Sequence, residues 1–158
     1  MEQKIKRVYI DSSVVYGAPA KEFSEDSKRF WDAFRNGEFA LIVSDVLIDE
    51  MNRAPAYVRK LFAALPESNI ERVDSTKESD RLALQYIAED VVGTSSLDDC
   101  RHIAVATFFR ADVLVSWNFA HVINRRAGYN DVNEKQGYTD GIEIQTPKKF
   151  METSHGEN

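Results

Sequence analysis

Two near-continuous apolar runs, ALIV at 40–43 and VLVS at 113–116, constrain the architecture more than any other feature of this chain. A strand solvated on one face alternates apolar with polar side chains. A strand that is apolar throughout is covered on both faces, which is the condition of a parallel sheet. The run Arg7 to Ile10 is β-branched and aromatic and reads as a further strand, as does Ile70 to Val73.

Segments with helical periodicity separate these runs. Ser24 to Arg35 carries Phe30, Trp31 and Phe34 at helical spacing, and Asn36-Gly37 stops it. A helix begins at Ser44 or Asp45, and Pro55 breaks it before Ala56 to Leu65. Lys77 to Val91 shows a stripe of Leu82, Ala83, Tyr86 and Ile87, and Leu97 to Phe109 is the next helix. Phe119 to Arg126 reads as one more, followed by a loop-rich stretch, GYNDVNEKQGYTDG. A last strand at Ile142 to Ile144 precedes a short helix with Pro147 in its first turn. Alternation of this kind predicts an α/β fold, a central parallel sheet sandwiched between helices.

With 158 residues, the chain fits one domain, expected over 1–150, with 151–158 as a flexible tail. No run approaches the apolar length of a membrane span, and the start lacks the pattern of a secretory leader. One cysteine, Cys100, cannot staple the fold, and no Cys/His cluster has zinc spacing. The expected setting is the cytoplasm. A net charge of −6 argues against a protein that coats nucleic acid, but not against an enzyme that touches it briefly.

In parallel sheets chemistry collects outside the carboxyl ends of the strands. Asp11 follows the first strand, Glu50 rides the helix leaving ALIV, Asp98 and Asp99 open the helix before VLVS, and Asn118 comes just after VLVS. Asp112 stands at the opposite edge and is excluded. Singly, each has an ordinary reading: Asp11 as a turn former, Glu50 as a solvated charge, Ser96-Leu97-Asp98-Asp99 as a capping box. Together, carboxylates crowded at one edge repel unless a cation sits among them. Hard oxygen donors without thiolates suit Mg2+ or Mn2+, and phosphodiester hydrolysis is the reaction that fits best.

Four stretches, VYIDSSVVYG, SDVLIDEM, LDDCRHIAVAT and ADVLVSWNFAHV, together with GYTDGIEIQTPKKF, resemble the PIN-domain family in order and spacing. That family comprises metal-dependent ribonucleases and includes the toxins of VapBC-type toxin–antitoxin pairs. The resemblance covers almost the whole chain and implies a three-layer α/β/α sandwich of PIN-like fold. It implies Asp11, Glu50 and Asp99 as metal ligands, and Ser12 or Ser13 at a hydroxyl position beside the first acid. It leaves Asp98 one residue out of register. Asn118 falls where many members carry a fourth acid, and its amide can ligate or orient a water without adding charge. His102, three residues after Asp99, reads first as a packed histidine and second as support for a ligand carboxylate.

The implied function is Mg2+- or Mn2+-dependent endoribonuclease, with RNA as substrate, an antitoxin protein as partner and a homodimer by family analogy. The rival is a catalytically weak or inactive PIN-like binding or assembly module. A phosphoacceptor receiver needs an acidic pair beside the first strand, and a dehalogenase-type phosphatase needs Asp-x-Asp there. Ser13 stands where the latter's second acid would be, so both fail.

Overall fold

The structure is a computed structural model that describes residues 5–17 and 20–154. Among these, five strands form one sheet: β1 (Arg7–Ile10), β2 (Ala40–Ser44), β3 (Ile70–Val73), β4 (Val113–Val115) and β5 (Ile144–Gln145). Their order is β3-β2-β1-β4-β5, and every pairing is parallel. The helices are α1 (Ser12–Gly17), α2 (Ser24–Arg35), α3 (Asp45–Asn52), α4 (Ala56–Ala63), α5 (Lys77–Ala88), α6 (Leu97–Phe108), α7 (Arg126–Lys135) and α8 (Pro147–Ser154).

The strand side chains alternate between two separate cores, as their period of two requires. Tyr9, Ile42 and Leu114 face one core with Leu82 and Tyr86 of α5, Ile103 of α6 and Tyr129 of α7. Val8, Ile10, Leu41, Val43, Val113 and Val115 face the other with Val14 of α1, Phe30 and Phe34 of α2, and Phe150 of α8. The result is a three-layer α/β/α sandwich. Helix α3 belongs to both layers, placing Val46 in the first core and Leu47 and Met51 in the second.

Three sequence expectations are corrected. Phe119 to Arg126 is not one helix. Ile123 and Asn124 bond back five residues, to the carbonyls of Asn118 and Phe119, and only a 3₁₀ turn over Ile123–Arg125 follows. The stretch expected as loop is mostly α7, because its polar residues face inward and are satisfied there. Asn133, wholly buried, accepts from the Tyr86 hydroxyl and donates to Thr107 Oγ1 at 3.3 Å. Asn130 clasps both the N–H and C=O of Ile142, at 2.8 and 2.9 Å. Of the tail expected over 151–158, residues 151–154 belong to α8, which buries Met151 in the second core, and 155–158 lie outside the described residues. Helix α1, directly after Asp11, was not visible in the sequence pattern.

No helix among the described residues is long and apolar enough to cross a membrane. Ile42, fully buried at the sheet centre, tests the packing. Ile42→Ala is expected to lower stability in urea unfolding by about 2–5 kcal/mol. Leu84→Ala, at an exposed position, should change it by less than about 0.5 kcal/mol.

Candidate active site

Chain order reverses at β1, since β2 and β3 lie to one side of it and β4 and β5 to the other. The crevice outside the carboxyl ends of β1 and β4 is therefore the switch point where α/β sheets place their sites. Asp11 leaves β1 there, and Ser116, Trp117 and Asn118 leave β4. Asp11 is 4% exposed. Its Oδ1 accepts from Ser13 Oγ at 2.5 Å and its Oδ2 from Ser116 Oγ at 2.6 Å. Ser13 Oγ also accepts from the Trp117 amide at 2.8 Å, so both loops are tied to one carboxylate. Of the two candidate serines, Ser13 fills the hydroxyl role, and Ser12 sits at the start of α1.

Burial raises the Asp11 pKa, the Glu50 charge adds to the rise, and the two hydroxyls and His102 oppose it. The balance follows from magnitudes. Hydrogen bonds to a charged group contribute about 1.5–3 kcal/mol each, while burying a carboxylate costs several kcal/mol even after relaxation. The hydroxyls offset only part of that cost.

Glu50 projects from α3, whose N-terminus is capped by Ser44 Oγ accepting from the Leu47 amide at 3.3 Å. Its Oε1 accepts from His102 Nε2. His102, 2% exposed on α6, bonds through Nδ1 to the Tyr9 hydroxyl at 2.7 Å, and that hydroxyl bonds Ser44 Oγ at 2.7 Å. The histidine is thus packed and bonded, and its carboxylate partner is Glu50 on a neighbouring helix, not Asp99 on its own. Burial pushes the His102 pKa down, but the bond to Glu50 and the charges of Glu50, Asp11 and Asp99 outweigh it, so the net direction is up.

Asp99 is half-buried one turn before His102. Burial first, then the charges of Asp11 and Glu50, raise its pKa, against the pull of His102 and His121. Asp99 feels both other acids, and His102 feels all three. Ser96 makes no capping bond, so the capping-box reading does not hold. Asp98 is exposed, 3.9 Å from Arg101 Nη1. It plays no part in the cluster.

Asn118 behaves differently from the expectation. Its Oδ1 accepts from the His121 amide at 3.0 Å and closes the turn after β4, while its Nδ2 points to Asp99 Oδ1 at 3.5 Å. The amide orientation is the one this network assigns. The Asn118 oxygen accepts one bond in the turn, and its amide donor faces the acid.

Among the described residues no three His, Cys, Asp or Glu side chains are grouped so as to hold an ion. Three carboxylates share one electrostatic neighbourhood without forming a closed set of ligands. The donor chemistry still suits Mg2+ or Mn2+, and magnesium commonly keeps several waters between itself and its protein ligands.

Trp117 is not a base platform. It stacks on Phe23 at 4.3 Å and donates from Nε1 to Ser27 Oγ at 3.2 Å. A Cβ on Gly17 would lie 2.5 Å from Trp117 Cδ1, so only glycine fits at that point of α1. The exposed aromatic is Phe119, at 46%. Its position directly after Asn118 is the signal the sequence offered. Cys100 is buried, and that burial pushes its thiol up to about 12, which rules out a resting thiolate nucleophile. Asp112 lies at the opposite edge, as expected, its Oδ2 accepting from the Arg7 amide at 2.7 Å.

Solved structures share this fold. One is the crystal structure of Mycobacterium tuberculosis VapC20, described as a sarcin-ricin loop cleaving toxin. It superposes with a TM-score of 0.55 at 11% identity over 72% of this chain and 92% of the other. Another is VapBC2 from Rickettsia felis bound to a DNA fragment from their promoter, with a TM-score of 0.52 at 10% identity over 89% and 98%. The fold is PIN-like. No protein-family model matches the chain, and no curated protein matches it in sequence. Likeness at this identity carries the PIN-like architecture and nothing finer.

The acidic crevice has a cost with a definite sign. Asp11 and Asp99 bind protons more tightly folded than unfolded, so stability falls as pH rises above the ordinary carboxylate range. His102, also raised, contributes stability below its unfolded value of about 6.5 that is lost as pH climbs through its folded value. The metal-free protein is therefore expected to lose stability as pH rises above the ordinary carboxylate range and on through the raised His102 value. Asp99→Asn should stabilise it at neutral pH by about 0.5–2 kcal/mol in urea unfolding and flatten that decline.

Proposed function

We propose that this protein is a metal-dependent endoribonuclease that hydrolyses RNA phosphodiester bonds, and that it serves as the toxin of a type II toxin–antitoxin pair. The observation that carries the proposal is the convergence of Asp11, Glu50 and Asp99, from three distant chain segments, at the switch point of a PIN-like sheet. The description of VapC20 as a toxin that cleaves the sarcin-ricin loop supports the same chemistry.

Asp11, Glu50 and Asp99 would hold Mg2+ or Mn2+, with waters completing its shell. The ion would neutralise charge on the scissile phosphate and lower the pKa of a bound water. The remaining work falls to the chain itself. Ser13 and Ser116 fix both oxygens of Asp11. Asn118 Nδ2, 3.5 Å from Asp99 Oδ1, would steady that carboxylate, and a carboxylate of the crevice would take the proton of the attacking water. Attack on phosphorus forms one P–O bond and breaks the bond to the 3′ oxygen, which takes up a proton. Phe119 gives a single-stranded base an exposed ring beside Asn118. Tyr16, Tyr57 and Leu61, exposed on the packed pair α1 and α4, give an antitoxin an apolar surface to cover.

A second reading has its own observation. The Asn118 oxygen accepts a bond in a turn and no closed ligand set exists among the described residues, both of which suit a weak or inactive binding module. Cleavage of a mixed RNA pool with Mn2+ separates the two. Wild-type protein should cleave, EDTA should abolish it, and Asp11→Asn and Asp99→Asn should each lower the rate at least about 100-fold. Equal residual cleavage in all three proteins would leave the binding module standing. Phe119→Ala should weaken binding of single-stranded RNA by about 1–3 kcal/mol, read by fluorescence anisotropy in the presence of EDTA.

A further inference from the structure

One buried hydrogen-bonded chain runs through three elements and returns to the helix where it starts. Its first donor is the Leu47 amide of α3, which can only donate, and its last acceptor is the Glu50 carboxylate of α3, which when ionised can only accept. Between them lie Ser44 Oγ, the Tyr9 hydroxyl and the His102 ring. With a hydrogen on Nε2, His102 donates to Glu50 Oε1. Whichever way each hydroxyl hydrogen points, the links join Ser44, Tyr9, His102 and Glu50 in one unbroken series. Tyr9 and His102 are also in edge-on ring contact at 5.6 Å, so neither can turn without disturbing the other.

Glu50 is partly exposed, on a helix of eight residues, and among the described residues its headgroup takes its hydrogen bond from His102. We infer that Tyr9 and His102 are positioning residues: acting from β1 and α6, they set where Glu50 stands relative to Asp11 and Asp99, and through it the affinity of the crevice for a divalent cation. This inference rests on the reading of Glu50 as a metal ligand. His102 stands one turn beyond Asp99 on α6, so a single ring fixes the spacing between two of the three acids. Partners of ligand side chains commonly have this effect on metal affinity without touching the metal.

The test is Mn2+ titration followed by loss of the free-ion electron paramagnetic resonance signal, on wild type, Tyr9→Phe, His102→Leu and His102→Gln. Tyr9→Phe keeps the ring and removes only the link; it should weaken Mn2+ binding by about 10–100-fold, as should His102→Leu. His102→Gln places an amide N–H where Nε2 stood and should recover most of the loss. Cleavage by Tyr9→Phe should return towards the wild-type rate at saturating Mn2+, since the defect lies in holding the ion. Melting without metal serves as the folding control, and if His102→Leu does not fold, Tyr9→Phe decides. A lower melting temperature with unchanged Mn2+ affinity in Tyr9→Phe overturns the inference, because it marks a structural role alone. Tighter binding also overturns it, by showing that His102 competes with the ion for Glu50. Wild-type protein that binds Mn2+, loses affinity in these variants, yet cleaves no RNA would sink the nuclease reading and leave the positioning role intact. Wild-type protein that binds no Mn2+ overturns both.

Discussion

Asp11 is a carboxylate held almost out of solvent at the middle of the sheet, and the rest of the site is arranged around keeping it there. Strand β1, central in the strand order, delivers it to the switch point. Two serine hydroxyls take its two oxygens, Ser13 from the first turn of α1 and Ser116 from just after β4. The same serine that holds one oxygen also receives the Trp117 amide, so the loop carrying Asn118 is set by the bond that holds the acid. Remove the acid and the two loops lose their common anchor.

Much of this was legible in the sequence, for identifiable reasons. Runs such as ALIV and VLVS report burial on both faces, and that is a local property of composition. The places of Asp11 directly after β1, Glu50 on the helix that follows β2 and Asp99 in the first turn of the helix before β4 could be read from the alternation of elements. Helix α7 was not legible, because Asn130 and Asn133 look like turn formers until the groups that satisfy them, Ile142 and Tyr86, are brought in from elsewhere in the chain. The role of Asn118 was hidden for a similar reason. Sequence reports that an amide is present, but which end of it faces an acid is decided by the turn it closes. Trp117 and Phe119 were likewise indistinguishable as stacking candidates until Phe23 and Gly17 were seen to enclose the tryptophan.

The site also illustrates why local rules are broken where chemistry is expected. Charges of one sign are brought together, two of them are pushed up in pKa, and the nearest resident counterweight is a single buried imidazole. Nothing in the packing of the two cores requires this arrangement.

Helix α3 is wedged between the two apolar layers, with Val46 in one and Leu47 and Met51 in the other. It therefore acts as a lever with a foot in each layer and an acid on its exposed side. A change of packing in either layer therefore bears on the helix that carries Glu50, with no residue of the crevice itself altered.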